Sequence, residues 1–153
     1  MLRDITIRNV DKLNDLNEII YKFDKEFHPS LRSRVLDLNQ YSKKLFNYAK
    51  NIVAICNGEI IGFASLYCND EQNSTAYLSQ IAVLKNARRN GVGQLLLDEV
   101  IKIAVINNMK YLKLEVLFNN PAYNFYKKNG FYDLDKASSK SIYMIKDLVN
   151  TYE

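Results

Sequence analysis

Apolar positions recur along the first third of the chain, first at strand spacing and then at helical spacing. Residues 5–9 alternate apolar and polar side chains, which predicts a strand. A helix with one apolar face follows, with Asp11 as its candidate N-cap, and its apolar members are Leu13, Leu16, Ile19, Ile20 and Phe23. Pro29 and the nearby serines break the pattern, so residues 27–38 are predicted to form a loop. A second amphipathic helix is predicted over residues 38–49, with apolar members Tyr41, Leu45, Phe46 and Tyr48.

The middle of the chain has the alternation and composition typical of strands. Two apolar runs, residues 51–56 and 59–68, flank the dipeptide Asn57-Gly58. Asn-Gly between apolar runs is the strongest two-residue signal for a β-hairpin. A polar turn then leads into a further predicted strand over residues 75–84.

Helical spacing returns after residue 94 and ends at Asn107-Asn108. This predicts a helix of about four turns, with apolar members Leu95, Leu96, Val100, Ile103 and Ala104. Beyond it the pattern predicts a strand, a short helix opened by Pro121 and closed by Asn129-Gly130, and two final strands, over residues 111–117, 121–129, 131–134 and 141–145. The predicted order is β-α-α-β-β-β-α-β-α-β-β, which is a mixed α/β fold in a single domain over residues 1–153.

Composition narrows the class of protein. A chain of 153 residues with a net charge of +4 is long enough for one domain with a proper core. It contains no apolar run of membrane-spanning length and no apolar segment typical of a signal peptide, so we expect a cytoplasmic protein without a membrane partner. Cys56 and Cys68 fall in strand-like runs and are predicted to be buried thiols, and with one histidine they do not indicate a metal site.

The strand that ends near residue 84 runs through a basic turn into two glycines and a helix. N–H groups at a helix N-terminus have no intrahelical partner and carry partial positive charge. Gly91 and Gly93 allow a ligand to approach the main chain, and Arg88 and Arg89 add donors suited to phosphate oxygens. The stretch therefore predicts a phosphate or pyrophosphate site.

Two common phosphate motifs are absent from this stretch. No G-x-x-x-x-G-K-[ST] run occurs, and Leu96 stands where G-x-G-x-x-G needs its third glycine. The six residues from Arg88 to Gly93 instead fit R/Q-x-x-G-x-G/A, and a second signature follows about 30 residues later as Asn119, Ala122, Tyr126 and Gly130-Phe131. The chain thus resembles the GNAT family, the GCN5-related N-acetyltransferases. The resemblance implies a central mixed, mostly antiparallel sheet of about six or seven strands, flanked by about four helices and splayed where CoA binds.

The resemblance implies that acetyl-CoA is the acetyl donor and identifies the residues that bind it. Main-chain groups of Ile81, Ala82 and Val83 would pair with the pantetheine arm. The pyrophosphate would be wrapped by the loop of Arg88, Arg89, Asn90, Gly91, Val92, Gly93 and Gln94. Asn119 would either hold the cofactor arm or cap the following helix.

The catalytic candidates are Tyr126 and Glu115. Tyr126 holds the position at which many family members place a general acid, and a phenol with a pKa of about 10 can donate a proton to the leaving thiolate. Glu115 is the candidate general base, since some relatives that acetylate protein N-termini use a glutamate at the matching place. The alternative base is a water relay held by Ser79, Gln80 or Tyr77.

The acceptor is expected to bind where the loop of residues 27–38 covers the sheet. The candidate residues are Phe27, His28, Leu31, Arg32 and Tyr41, which mix aromatic, basic and hydroxyl groups. They favour a small polar amine such as an amino sugar, a sugar nucleotide or an amino acid, and the alternative is a protein N-terminus or lysine. A non-catalytic CoA-binding module is the rival from another class.

Other partners are expected from analogy or excluded by pattern. Many relatives are dimers, which makes a homodimer the expectation by analogy. A nucleic-acid-binding domain would use Lys85, Arg88 and Arg89 as a phosphate patch, but the chain lacks an aromatic-interleaved basic surface or a recognition helix. No nucleic-acid partner is therefore expected.

Overall fold

The computed structural model describes residues 4–27 and 30–148, and these form seven strands and four α-helices. In chain order the elements are β1 (Thr6–Asn9), α1 (Leu13–Phe23), α2 (Leu38–Tyr48), β2 (Lys50–Cys56), β3 (Glu59–Asp70), β4 (Thr75–Val83), α3 (Val92–Ile106), β5 (Tyr111–Leu117), α4 (Ala122–Lys128), β6 (Tyr132–Lys136) and β7 (Ser141–Asp147). This order confirms the prediction from the sequence.

One sheet contains all seven strands, in the order β1-β2-β3-β4-β5-β7-β6. Every neighbouring pair is antiparallel except β4 and β5, which are parallel and joined by the α3 crossover. The hairpin between β2 and β3 turns at Asn57 and Gly58, whose φ angles of 52° and 78° are both positive. Positive φ at both central residues is what a type I′ turn requires, so the hairpin prediction is confirmed.

Side chains on the two faces of the sheet form two separate cores. On one face, α3 and α4 cover the sheet through a cluster that includes the fully buried Leu96, Leu112 and Met144. On the other, α1 and α2 pack through Phe23, Leu45 and Phe63. Within residues 4–27 and 30–148, the α1–α2 core includes residues of β2, β3 and β4, and α4, the helix after β5, packs on the opposite face.

A bulge in β4 changes which side chains face each core. Ser65 pairs with Gln80 and Leu66 with Leu78, so Ser79 is an extra residue on β4. Before the bulge Ala76 and Leu78 belong to the α3 core, and after it Gln80 and Ala82 face α1 and α2. Because of this extra residue, the even-numbered side chains of β4 face the α3 core before Ser79 and face α1 and α2 after it.

The parallel strands β4 and β5 separate soon after they begin. They form only three pairs, from Thr75 with Tyr111 to Tyr77 with Lys113. From Leu78 and Leu114 onward the two strands do not pair with each other. A gap therefore opens between their C-terminal halves, at the edge of the sheet where ligands of α/β folds commonly bind.

Several local predictions were wrong. Asp11 does not cap α1. The helix begins at Leu13, so its N-cap is Lys12, and Lys12 makes no side-chain capping hydrogen bond. In the last turn of α2 Tyr48 is 65% exposed, since the buried face of that helix is formed by Leu38, Ser42 and Leu45. Leu95 is 40% exposed on the outer edge of α3.

The segment predicted as a loop contains a short 3₁₀ turn at Leu31–Ser33, after another at Asp24–Glu26. Cys56 is buried, Cys68 is half-buried, and the two are not joined in a disulfide. Among the described residues, no helix is both long and apolar enough to cross a membrane.

Candidate active site

The glycine-containing loop lies at the C-terminal end of β4 and leads directly into α3. The main chain adopts a positive φ at Arg89 (68°) and again at Gly91 (77°), and Gly91 is the N-cap of α3. The first helical hydrogen bond runs from Leu95 N–H to Gly91 C=O (3.1 Å), so the N–H groups of the first turn point out of the helix end. A Cβ added at Gly91 would meet no atom within 4 Å. The helix end is therefore open to an anionic ligand.

Side chains of the loop hold its shape and connect it to the rest of the protein. Asn90 Nδ2 donates to the carbonyl oxygens of Ala87 and Arg88, both at 3.1 Å. Arg88 Nε donates to Val83 C=O (3.2 Å), and Arg88 Nη2 lies 2.7 Å from Glu26 Oε2. Arg88 thus connects the glycine-containing loop to the segment that follows α1.

The helix α4 lies beside the start of α3. Gln94 Nε2 donates to Asn129 Oδ1 (2.8 Å), at the end of α4, and also to Asp98 Oδ1 (2.9 Å). A Cβ added at Gly93 would lie 3.9 Å from Phe125 Cζ, an ordinary van der Waals distance, so α4 packs close to the first turn of α3. The loop and α4 therefore form one wall beside the gap.

Tyr126 projects from α4 into the core between two aromatic rings. It is 6% exposed, with ring centroids 5.5 Å from both Phe125 and Phe131. Burial raises the pKa of its phenol above the ordinary value. Within the described residues its hydroxyl has no hydrogen-bond partner. The group is therefore a neutral donor through the whole physiological pH range.

Glu115 lies on the opposite face of β5, in the part of the strand that borders the gap. Its neighbours Leu114 and Val116 point into the α3 core, so strand alternation turns Glu115 towards the other side. Glu115 Oε2 accepts a hydrogen bond from Ser141 Oγ at 2.6 Å, and Ser141 Oγ lies 2.7 Å from Ser138 Oγ. One oxygen of the carboxylate is thereby fixed.

Tyrosines surround Glu115 on this face. Burial, together with the nearby Glu115, Tyr143 and Tyr41, raises the pKa of Tyr77 to about 12, and Arg34 opposes the shift. Gln80 Nε2 donates to Tyr41 Oη at 2.7 Å, which links β4 to α2. Glu115 pairs with Tyr143 across β5 and β7. We call these residues the tyrosine pocket: Tyr41, Tyr77, Gln80, Glu115 and Tyr143.

The gap between β4 and β5 connects the two faces. Tyr126 and the glycine-containing loop lie on the α3–α4 side, and the tyrosine pocket lies on the α1–α2 side. A ligand that enters along the loop and an amine that enters from the pocket would meet in this gap. The geometry suits a group transfer between two substrates that bind on opposite sides of a sheet.

A family model, described as the acetyltransferase (GNAT) family, matches residues 13–131 of the chain. The chain belongs to the GNAT family of acetyltransferases. The family model covers both signatures and all of α1 to α4, so the resemblance noted in the sequence is confirmed.

Solved GNAT structures share the whole fold. The ribosomal-protein-S18-alanine N-acetyltransferase of Escherichia coli has a TM-score of 0.77 at 21% identity, over 95% of this chain and 94% of its own. The PaiA N-acetyltransferase of Thermoplasma acidophilum, in complex with coenzyme A, has a TM-score of 0.73 at 21% identity, over 94% and 99%. A GNAT acetyltransferase of Staphylococcus aureus Mu50 has a TM-score of 0.74 at 24% identity, over 95% and 99%. A comparison with curated protein sequences finds no match.

The other residues predicted for the acceptor site and the cofactor arm lie in different parts of the structure. Phe27 and Leu31 are buried in the α1–α2 core, behind the pocket surface. Arg32 pairs with the buried Asp24, with its Nε 3.1 Å from Asp24 Oδ2. His28 lies outside the described residues. Pro121 is the N-cap of α4, Asn120 Oδ1 accepts a hydrogen bond from Ala122 N–H in the first turn (2.9 Å), and Asn119 is exposed beside it after the end of β5.

Three residues around the GNAT site were not singled out from the sequence. Ser141 bonds Glu115, Glu26 bonds Arg88, and Lys113 lies over the ring of Tyr143 with its Nζ 4.2 Å from the centroid. Ser141 had a usable signal, because it is a polar residue at the head of an apolar strand. The other two are ordinary surface charges in the sequence, and only the fold brings them to the site.

Proposed function

We propose that the protein transfers the acetyl group of acetyl-CoA to a primary amine of a small polar molecule, by direct attack within a ternary complex. The observation that carries this proposal is the gap between β4 and β5, which has the open N-terminus of α3 on one side and Glu115 on the other. Family membership supplies the acetyl-CoA dependence. No cysteine lies at the gap among the described residues, which favours direct transfer over a covalent acetyl-enzyme.

The described residues fit acetyl-CoA. The unpaired edge of β4 at Ile81, Ala82 and Val83 can pair with the amide groups of the pantetheine arm. The loop from Arg88 to Gln94 offers main-chain N–H groups and two guanidinium groups to the pyrophosphate. Asn119 after the end of β5 is free to contact the arm, since its neighbour accepts the hydrogen bond from the first turn of α4.

Proton transfers are assigned to the two faces of the gap. An alkylammonium has a pKa of about 10.4, so the acceptor must lose a proton before it attacks. Glu115 or a water held by Tyr77, Ser79 or Gln80 would take that proton. Tyr126 would donate to the leaving thiolate, because its buried phenol stays protonated.

The acceptor class rests on the composition of the tyrosine pocket. The hydrogen bond between Gln80 and Tyr41 joins β4 to α2 beside Glu115 and the other tyrosines, and these hydroxyl, amide and carboxylate groups suit a small polar molecule. The E. coli neighbour acts on a ribosomal protein, and its likeness to this chain supports the fold. A protein acceptor is therefore an outcome of the test below.

Thermal unfolding with and without acetyl-CoA tests cofactor binding, with NAD and ATP as controls. Ligand at about a hundred times its Kd adds about 2.7 kcal/mol of stability. A thiol-release screen of amines and peptides with free N-termini would follow. No stabilisation by acetyl-CoA would contradict the proposal, and stabilisation without turnover of any amine would favour a non-catalytic CoA-binding module.

A further inference from the structure

Two cations face the tyrosine pocket without a carboxylate partner among the described residues. Lys113 and Glu115 are two residues apart on β5, so their side chains lie on the same face of the sheet. Lys113 Nζ lies 4.2 Å from the ring centroid of Tyr143, which is the cross-strand partner of Glu115. The ammonium group is thereby held over the pocket.

Arg34 is the second cation. It is exposed and follows the 3₁₀ turn at Leu31–Ser33, and Leu31 and Val35 of the same segment pack in the core cluster that Tyr41 of the pocket also contacts. The charge of Arg34 lowers the pKa of Tyr77 against the effect of burial, which agrees with this position. Other arginines near the site are neutralised, since Arg32 pairs with Asp24 and Arg88 with Glu26. Arg34 makes no ion pair with any residue that the structure describes.

Two carboxylates share this face of β5 and β7 with Lys113, and each accepts a hydrogen bond from a hydroxyl group. Glu115 accepts from Ser141 Oγ (2.6 Å), and Asp147, which pairs with Tyr111 at the start of β5 and away from the gap, accepts from Tyr132 Oη (2.8 Å). The edge-strand residue Asp135 pairs with Tyr143 across β6 and β7, two strands away from β5. Lys113, Arg34 and Glu115 are therefore the charged groups beside the space in which the acceptor would bind.

An acceptor that carried only an amine would leave both cations without a counter-charge. An amine that also carried a carboxylate or phosphate would place its amino group at Glu115 and its anion at Lys113 and Arg34. Tyrosine faces and hydroxyls would contact the body between the two ends. We infer that the acceptor is an amine bearing an anionic group, recognised by Lys113 and Arg34. This inference rests on the proposed function, because it identifies the substrate class of the same site.

Binding of matched compounds to the CoA-saturated protein tests the inference. Three pairs differ only in the anion: β-alanine and β-alaninamide, O-phosphoethanolamine and ethanolamine, and glucosamine 6-phosphate and glucosamine. By calorimetry, we expect the anionic member of at least one pair to bind about tenfold more tightly, the size typical of a charged hydrogen bond. Equal binding within every pair, or tighter binding of the neutral members, would overturn the inference.

Two variants test whether Lys113 and Arg34 cause the preference for the anionic compounds. Lys113→Met keeps the aliphatic stem over Tyr143, and Arg34→Gln keeps a polar side chain of similar length. Each should reduce the preference for the anion about three- to tenfold. The control is Lys102→Met, which removes an exposed lysine from α3 on the opposite face of the sheet. A preference that survives both variants would mean that other residues bind the anion, and the inference would fail.

Turnover of the same six compounds separates this inference from the proposed function. Anion-dependent binding without thiol release would support the assignment of Lys113 and Arg34 and contradict the acetyltransferase proposal. Thiol release with equal rates for the two members of each pair, and equal binding, would support the enzyme and overturn the assignment. Higher activity on a neutral peptide with a free N-terminus would also overturn it.

Discussion

Ser141 donates a hydrogen bond to Glu115 across β7 and β5, with its Oγ 2.6 Å from Glu115 Oε2. The serine is 1% exposed, so its hydroxyl is held in one place by the sheet. The contact therefore orients Glu115 and leaves its second oxygen available to an acceptor amine.

Removing the Ser141 hydroxyl should slow the reaction. In Ser141→Ala the Glu115 carboxylate loses the hydrogen bond that orients it towards the acceptor. We expect kcat/KM to fall about three- to tenfold, in line with the loss of one charged hydrogen bond. The measurement is steady-state kinetics with an acceptor found in the screen.

Two further variants make that result specific. Ser141→Thr restores a hydroxyl and should recover the wild-type kcat/KM. Ser42→Ala removes another buried serine, whose Oγ bonds Leu38 C=O in α2, and should leave kcat/KM unchanged. Equal kcat/KM in wild type and Ser141→Ala would show that the orientation of Glu115 does not limit the reaction, and a water relay would then be the better assignment of the base.

Local patterns predicted the elements of this fold, and long-range contacts determined the details of its site. The spacing of Leu16, Ile19 and Phe23 and the dipeptide Asn57-Gly58 specify a helix and a hairpin without any help from distant residues. The glycines after β4 predicted an open helix N-terminus for the same reason. These signals are encoded within a few neighbouring residues, so the sequence alone reveals them.

The contacts between distant residues could not be predicted in that way. Ser141 is 26 residues from Glu115, and Glu26 is 62 residues from Arg88. Each contact depends on strand register or on the path of a loop, which periodicity does not specify. The same limit applies to the bulge at Ser79, which reverses the faces of β4 although the residues there show no turn signal.

The ion pair between Glu26 and Arg88 should lower the affinity for acetyl-CoA. Glu26 places a negative charge 2.7 Å from the guanidinium that would face the pyrophosphate. Glu26→Gln keeps a hydrogen-bond acceptor and removes that charge, so we expect acetyl-CoA to bind about three- to tenfold more tightly at low salt. Calorimetry should show no change for S-acetylpantetheine, which lacks phosphates.

Glu59→Gln is the matched control for this charge. Glu59 lies in an exposed pair with Lys22 at 3.9 Å, on the hairpin rather than beside the loop. It should leave the affinity for acetyl-CoA within about twofold of wild type, as exposed pairs contribute little. Weaker binding by Glu26→Gln would instead mean that Glu26 positions Arg88 for the phosphate.

Gly91 and Gly58 offer a controlled test of the loop. Their φ angles are 77° and 78°, and a Cβ at either would meet no atom within 4 Å. Aspartate at either position should therefore cost a similar amount of stability, about 1 kcal/mol. Only Gly91→Asp adds a negative charge at the open end of α3, and this charge should weaken acetyl-CoA binding about tenfold.

The readout for the glycine pair is the stabilisation by acetyl-CoA in thermal unfolding. With acetyl-CoA at about a hundred times the wild-type Kd, it should fall by about half in Gly91→Asp and be preserved in Gly58→Asp. Equal stabilisation of the two variants would show that the cofactor does not lie against the N-terminus of α3. Comparing each variant with its own ligand-free form removes the common cost of the strained backbone.

Replacing Tyr126 by phenylalanine should separate catalysis from stability. The hydroxyl has no hydrogen-bond partner in the described part of the chain, so Tyr126→Phe should keep the ring packing and the affinity for acetyl-CoA. If the phenol protonates the thiolate, kcat should fall about a hundredfold. The control is Tyr123→Phe on the same helix, where the hydroxyl bonds Asp133 at 2.8 Å, and its kcat should be unchanged.

Alkaline unfolding gives a second readout for Tyr126 that does not depend on an acceptor. Burial raises the pKa of Tyr126 in the folded protein above the value of about 10 expected in the unfolded chain. The unfolded chain therefore loses this proton first, and the stability due to the buried phenol is lost as pH rises above about 10. At about pH 11 the wild type should have lost stability on the order of 1 kcal/mol through this residue, and Tyr126→Phe should not show that loss. Identical alkaline unfolding of the two proteins would mean that Tyr126 ionises in the folded state at the same pH as in the unfolded chain. Burial would then not keep the phenol protonated, which would contradict its role as the proton donor to the leaving thiolate.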